Sequence, residues 1–132
     1  MISLELAKQL KDAGLEWDYE YGFPRDYVYY KGKIHEVEGP GTNDTFRLAP
    51  WQNYVKREYL IFAPTLSQIL SEIEKRGYCW GLSAYYSCSD TKKYLYFCKI
   101  SGENKFFTAD TPEEVAAAAL LWVMKEGKCA NR

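Results

Sequence analysis

The chain has 132 residues, 47% of them hydrophobic and 27% charged, with a formal net charge of -1. That length suits one domain, large enough to bury about two-thirds of its unfolded surface and to hold a core without disulfides or metal. The near-neutral charge removes the general electrostatic drive toward duplex nucleic acid or an acidic membrane surface.

No apolar run reaches the ~18 residues of a membrane span. The opening Met1-Ile-Ser-Leu-Glu-Leu6 carries an early acid and lacks both a basic start and a long apolar stretch, so it reads as no signal peptide, and a cytoplasmic location is expected. Cys79, Cys88, Cys98 and Cys129 form no CxxC pair and read as reduced thiols, the first three in or beside strands and Cys129 in a tail.

In chain order, Ser3 caps a helix over 4–13 that stops at Gly14, with Leu6, Ala7 and Leu10 on one face. Residues 26–31 and 33–38 flank Gly32 as a hairpin, and Gly39 to Asp44 is a loop by composition. Thr45 to Ala49 and Glu58 to Phe62 are short strand candidates. Thr65 and Gln68 form a capping box for a helix over 66–76, whose Leu66, Ile69, Leu70 and Ile73 keep helical spacing until Gly77. Strands over 78–86, 93–100 and 105–109 follow, joined by tight turns, which implies an antiparallel meander.

The clearest start is the last. Thr111 caps, Pro112 fits the first helical position, and Glu114 completes a capping box near the positive end of the dipole. The helix covers 112–125, with Val115, Ala118, Ala119 and Trp122 as its packing stripe. An echo aligns Leu6, Ala7, Leu10, Gly14 and Trp17 with Ile69, Leu70, Ile73, Gly77 and Trp80; shared helix grammar and a duplication of 1–63 onto 64–132 both account for it.

Little chemistry is legible. His35 is the only histidine. Alternation places it opposite Ile34 and Glu36 on a strand, half exposed, and no zinc-module spacing links it to the cysteines. The acidic pairs Asp18/Glu20 and Glu36/Glu38 suit strand surfaces, and Glu113/Glu114 suits a helix start. There is no Gly-rich phosphate loop. The reading is therefore no enzyme, no metal and no cofactor.

The 12 tyrosines and 4 tryptophans leave room for binding. Trp17 to Phe23 and Asp26 to Lys31 show tyrosines on strand faces. Trp51-Gln-Asn-Tyr-Val-Lys-Arg57 interleaves rings with bases and has no apolar period, so it reads as an exposed connection. Such rings serve the sheet core, a protein interface or a stacked base. The candidate binding residues are Trp51, Tyr54, Lys56, Arg57, Tyr27 and Tyr29.

The ending Ala109 to Met124 resembles the closing helix of small uncharacterised proteins encoded by phages and prophages of Gram-positive bacteria, and Pro64 to Gly77 resembles their middle helix. Some of these are described as an αβα-sandwich phage domain. The resemblance implies a layered α+β fold and a phage setting inside a host cell, and it carries no catalytic residues. The expected fold is α+β, an antiparallel sheet packed with three helices in one layered domain. The expected function is a non-enzymatic phage or prophage accessory protein that binds a host or phage protein, without duplex nucleic acid or membrane. The alternatives are a protein that sequesters a nucleotide through its aromatics with Lys56 and Arg57, and a small enzyme using carboxylates and His35.

Overall fold

Helix α1 (Leu4–Asp12) starts where the Ser3 hydroxyl accepts from the Leu6 amide at 3.2 Å. It stops because Gly14 takes a φ of +104°, which turns the chain so that the Gly14 amide donates to Lys11 O and the Leu15 amide to Leu10 O. Helix α2 (Leu66–Lys75) ends in the same way at Gly77 and opens with a complete capping box between Thr65 and Gln68. The computed structural model describes residues 1–19, 25–50, 54–86 and 94–126.

Helix α3 (Pro112–Glu126) is capped by Thr111, whose hydroxyl accepts from the Glu114 amide at 3.1 Å. The other half of the expected box is not made locally. Glu114 Oε1 instead accepts from the Ser3 amide at 2.9 Å, so one carboxylate ties the start of α3 to the start of α1. Thr111→Ala should cost about 1 kcal/mol in a urea melt; no loss would show that this cap is not used.

As expected, the fold is α+β with antiparallel pairing throughout; among the described residues, eight strands form two sheets, of five and three strands. The five-stranded sheet comprises β1 (Tyr27–Tyr30), β2 (Lys33–Pro40), β3 (Thr45–Leu48), β4 (Tyr54–Lys56) and β5 (Ile61–Phe62), in the order β4-β3-β2-β1-β5. The β1–β2 hairpin turns through Lys31 and Gly32, both at positive φ. Strand β2 runs on through Gly39 and Pro40 into the expected loop, with a register shift between Val37 and Gly39. The expected strand over 58–62 is mostly a 3-10 turn, Arg57–Tyr59, and only Ile61 and Phe62 pair, with β1.

The second sheet is the expected meander: β6 (Trp80–Tyr86), β7 (Tyr94–Ile100) and β8 (Lys105–Ala109), in that order and antiparallel. The helices lie between the sheets. Their core gathers Leu10, Ile69, Ile73, Leu120 and Val123 with Cys98 and Ile100 of β7, and Tyr27, Tyr29 and Ile61 pack on it from the five-stranded sheet. Helix α3 is buried on more than one face, through Val115, Ala116, Ala117, Ala119, Leu120, Val123 and Met124. The expected stripe was too narrow: Ala118 and Trp122 are only half-buried. The cause is that α3 packs against α1, α2, β7 and β8 together. A second, smaller core of Val28, Val37, Phe46, Leu48, Val55 and Leu60 lies on the other face of the five-stranded sheet, with Trp17 and Tyr19 over it. Residues 15–19 reach that position without forming a strand.

Candidate functional site

Tyr54 and Lys56 are exposed on β4, where Val55 alone turns inward, so this part of the expected connection is a strand. The Tyr54 ring lies against Gly41, and a Cβ at Gly41 would collide with it. Trp51 lies outside the described residues. Tyr27 and Tyr29 face the main core rather than solvent. The Tyr29 hydroxyl donates to Ile2 O at 2.7 Å, and burial, then the Glu114 charge, raise its pKa above the ordinary tyrosine value. The structure therefore brings together Tyr54 and Lys56 in one shallow groove and turns the other two tyrosines away from it.

Arg57 belongs to a different place. Its Nε donates to both Asp44 carboxylate oxygens, at 2.9 and 3.1 Å, and its Nη1 donates to Trp17 O at 2.7 Å. The guanidinium sits 5.0 Å from the Trp17 and Phe46 ring centroids, a cation–π arrangement. Trp17 is pinned at its other end, because Nε1 donates to Asp26 Oδ2 at 2.7 Å. Asp26 is only 6% exposed, and its Oδ1 accepts from Gln68 Nε2, also at 2.7 Å. Gln68 Oε1 meanwhile accepts from the Thr65 amide in the α2 capping box. One buried carboxylate thus joins the indole, β1 and the start of α2. A cavity of about 310 Å³ opens beside Trp17, with Lys11, Leu15, Leu60 and Phe62 among its lining.

His35 does not behave as expected. It is 8% exposed, turned toward the smaller core with its neighbour Val28, and its Nδ1 lies 3.0 Å from Ala49 O. The hairpin register sets this face, the backbone carbonyl and the nearby Tyr30 ring accommodate the imidazole, and the more apolar Ile34 is left outside. Among the described residues no three of His, Cys, Asp and Glu gather as metal ligands. Glu36 pairs with Arg25 at 3.1 Å, and Glu38 approaches Arg47 at 4.0 Å, exposed pairs of little energetic weight. Cys98 is a buried thiol pushed up to about 11 by desolvation, and Cys79 is exposed just before β6. Cys88 and Cys129 lie outside the described residues.

Among the described residues, four of the six exposed tyrosines and phenylalanines, Tyr85, Tyr86, Tyr94 and Phe106, are on the meander, which no candidate residue had marked. Helices α2 and α3 pack against one face of it. The registers set Tyr85 beside Leu95, Ser83 beside Phe97 beside Thr108, and Lys99 beside Phe106 on the opposite face. Tyr85 is 64% exposed and Phe106 is 67% exposed. Past the helices, Tyr86 and Tyr94 are also exposed, with ring centroids 5.0 Å apart. The three strands contain Lys99 and Lys105 and no acid.

Comparison with protein-family models, curated proteins and solved structures finds no match. Among the described residues, no helix is long and apolar enough to cross a membrane.

Proposed function

We propose that this is a non-enzymatic binding protein that docks a protein partner on the outer face of the meander. The observation that carries this reading is the apolar diagonal Tyr85, Leu95, Phe97 and Phe106, left open by the elements that pack the other face. Tyrosine and phenylalanine give large contact area at low entropic cost, which suits recognition more than solvation. Lys99 beside Phe106, with no acid in the three strands, matches a partner that brings a carboxylate to the edge of the apolar patch. The phage-protein resemblance of α2 and α3 supports a host or phage protein as that partner.

Capture from host lysate followed by titration of the purified partner tests this. Tyr85→Ser combined with Phe106→Ser should weaken binding at least about a hundredfold, the size of two modest hot spots. Raising salt should weaken the wild-type complex. Unchanged affinity in the double variant would reject the face, and turnover of a substrate by the purified chain would reject the non-enzymatic reading.

A further inference from the structure

We propose that the cavity beside Trp17 is a binding site for a small aromatic molecule of zero net charge. It lies where α1 meets the five-stranded sheet, away from the meander, so it stands apart from partner docking. Its volume of about 310 Å³ is at the small end of ligand sites and suits a one- or two-ring molecule.

Its apolar wall comes from Leu15, Leu60, Phe62 and Trp17. The Trp17 and Phe62 rings are near-parallel, at 13° with centroids 5.8 Å apart. The wall is pre-organised. Asp26 holds the indole N–H, Arg57 holds the Trp17 carbonyl, and the Phe46 ring lies 4.6 Å from the indole. A ligand ring stacking there need not order the indole first.

The charges select against anions. The cations in the lining are Lys11 and Arg57, and the acids are Asp44 and Glu58. Arg57 is already committed to Asp44 and to the Trp17 carbonyl, so its charge is neutralised inside the wall. That leaves Lys11, whose ammonium lies 3.4 Å from Leu60 O, opposed by Glu58. One charge of each sign matches a neutral or zwitterionic ligand and gives a polyphosphate nothing to balance it. The sequence alternative of a sequestered nucleotide predicts the reverse preference.

Saturation-transfer NMR with adenosine, L-tryptophan and ATP as probes decides between them. Adenosine or L-tryptophan should bind, and ATP should bind at least about tenfold more weakly than adenosine. Leu15→Trp places a ring in the cavity and should remove probe binding. Glu58→Lys changes an exposed residue, leaves the fold intact, and should bring ATP level with adenosine or above it. This second variant decides the matter if Leu15→Trp fails to fold. The proposal is overturned if neither neutral probe binds the wild type, if ATP binds as tightly as adenosine, if a folded Leu15→Trp binds undiminished, or if Glu58→Lys leaves the preference unchanged. Capture of a protein partner is measured separately, and its loss or retention does not alter these outcomes.

Discussion

Leu120→Ala should destabilise the protein by about 4 kcal/mol, within the range for deleting a buried leucine side chain. Leu120 is fully buried in α3, the helix that α1, α2, β7 and β8 all pack against. Alanine is the best helix former, so the substitution leaves helix propensity intact and the loss measures packing alone. Because the same core reaches both sheets through Cys98 and Tyr29, urea melts followed by circular dichroism and by tryptophan fluorescence should shift together. A loss under 1 kcal/mol, or two separated transitions, would mean that α3 is not the shared centre of the fold.

Asp26→Ala should cost about 3 kcal/mol, although it deletes only a small side chain. The carboxylate accepts from Trp17 Nε1 and Gln68 Nε2, and its removal leaves both donors without that acceptor. A fully buried donor left stranded costs about 1–3 kcal/mol, and these two are half-buried. Asp26→Asn should cost roughly half as much as the alanine, since its carbonyl can still serve one donor while its amide opposes the other. Equal effects of the two substitutions would show that the two-donor arrangement does not carry the stability. In that case Asp26 would matter only through volume.

These two residues mark what the sequence could and could not disclose. The ends of the helices are local chemistry, and Ser3, Thr65, Thr111, Gly14 and Gly77 placed all three within a few residues of their observed bounds. The Lys31-Gly32 turn and the closing meander were legible for the same reason, since each strand pairs with its neighbour in sequence. The pairing of β1 with β5 joins distant segments and has no local signature. Asp26 looked like an ordinary strand start because its partners, Trp17 and Gln68, come from two other segments. The width of the buried surface on α3 was hidden likewise, because it is set by four packing elements rather than by the period of the helix.

The candidate binding residues divide along the same line. Arg57 was singled out for its charge beside aromatics, and its ring partner is Trp17, far away in the chain, rather than its neighbours in sequence. Tyr27 and Tyr29 could not be told from interface rings, because strand alternation fixes opposite faces without saying which is covered. Tyr85 and Phe106 were hidden by neighbours of the same kind. Tyr85-Tyr86 and Phe106-Phe107 put an aromatic on each face, and only the position of α3 decides which face stays open.

Hydroxyl-radical footprinting of the complex with its captured partner tests the docking face most directly. Tyr54 and Tyr59, 53% and 62% exposed on the five-stranded side of the molecule, are internal controls for Tyr85 at 64% and Phe106 at 67%. All four rings should oxidise in the isolated protein. On adding the partner, Tyr85 and Phe106 should be protected while Tyr54 and Tyr59 continue to react. Protection of Tyr54 and Tyr59 with Tyr85 and Phe106 still reactive would contradict the account and move the contact surface to the other sheet.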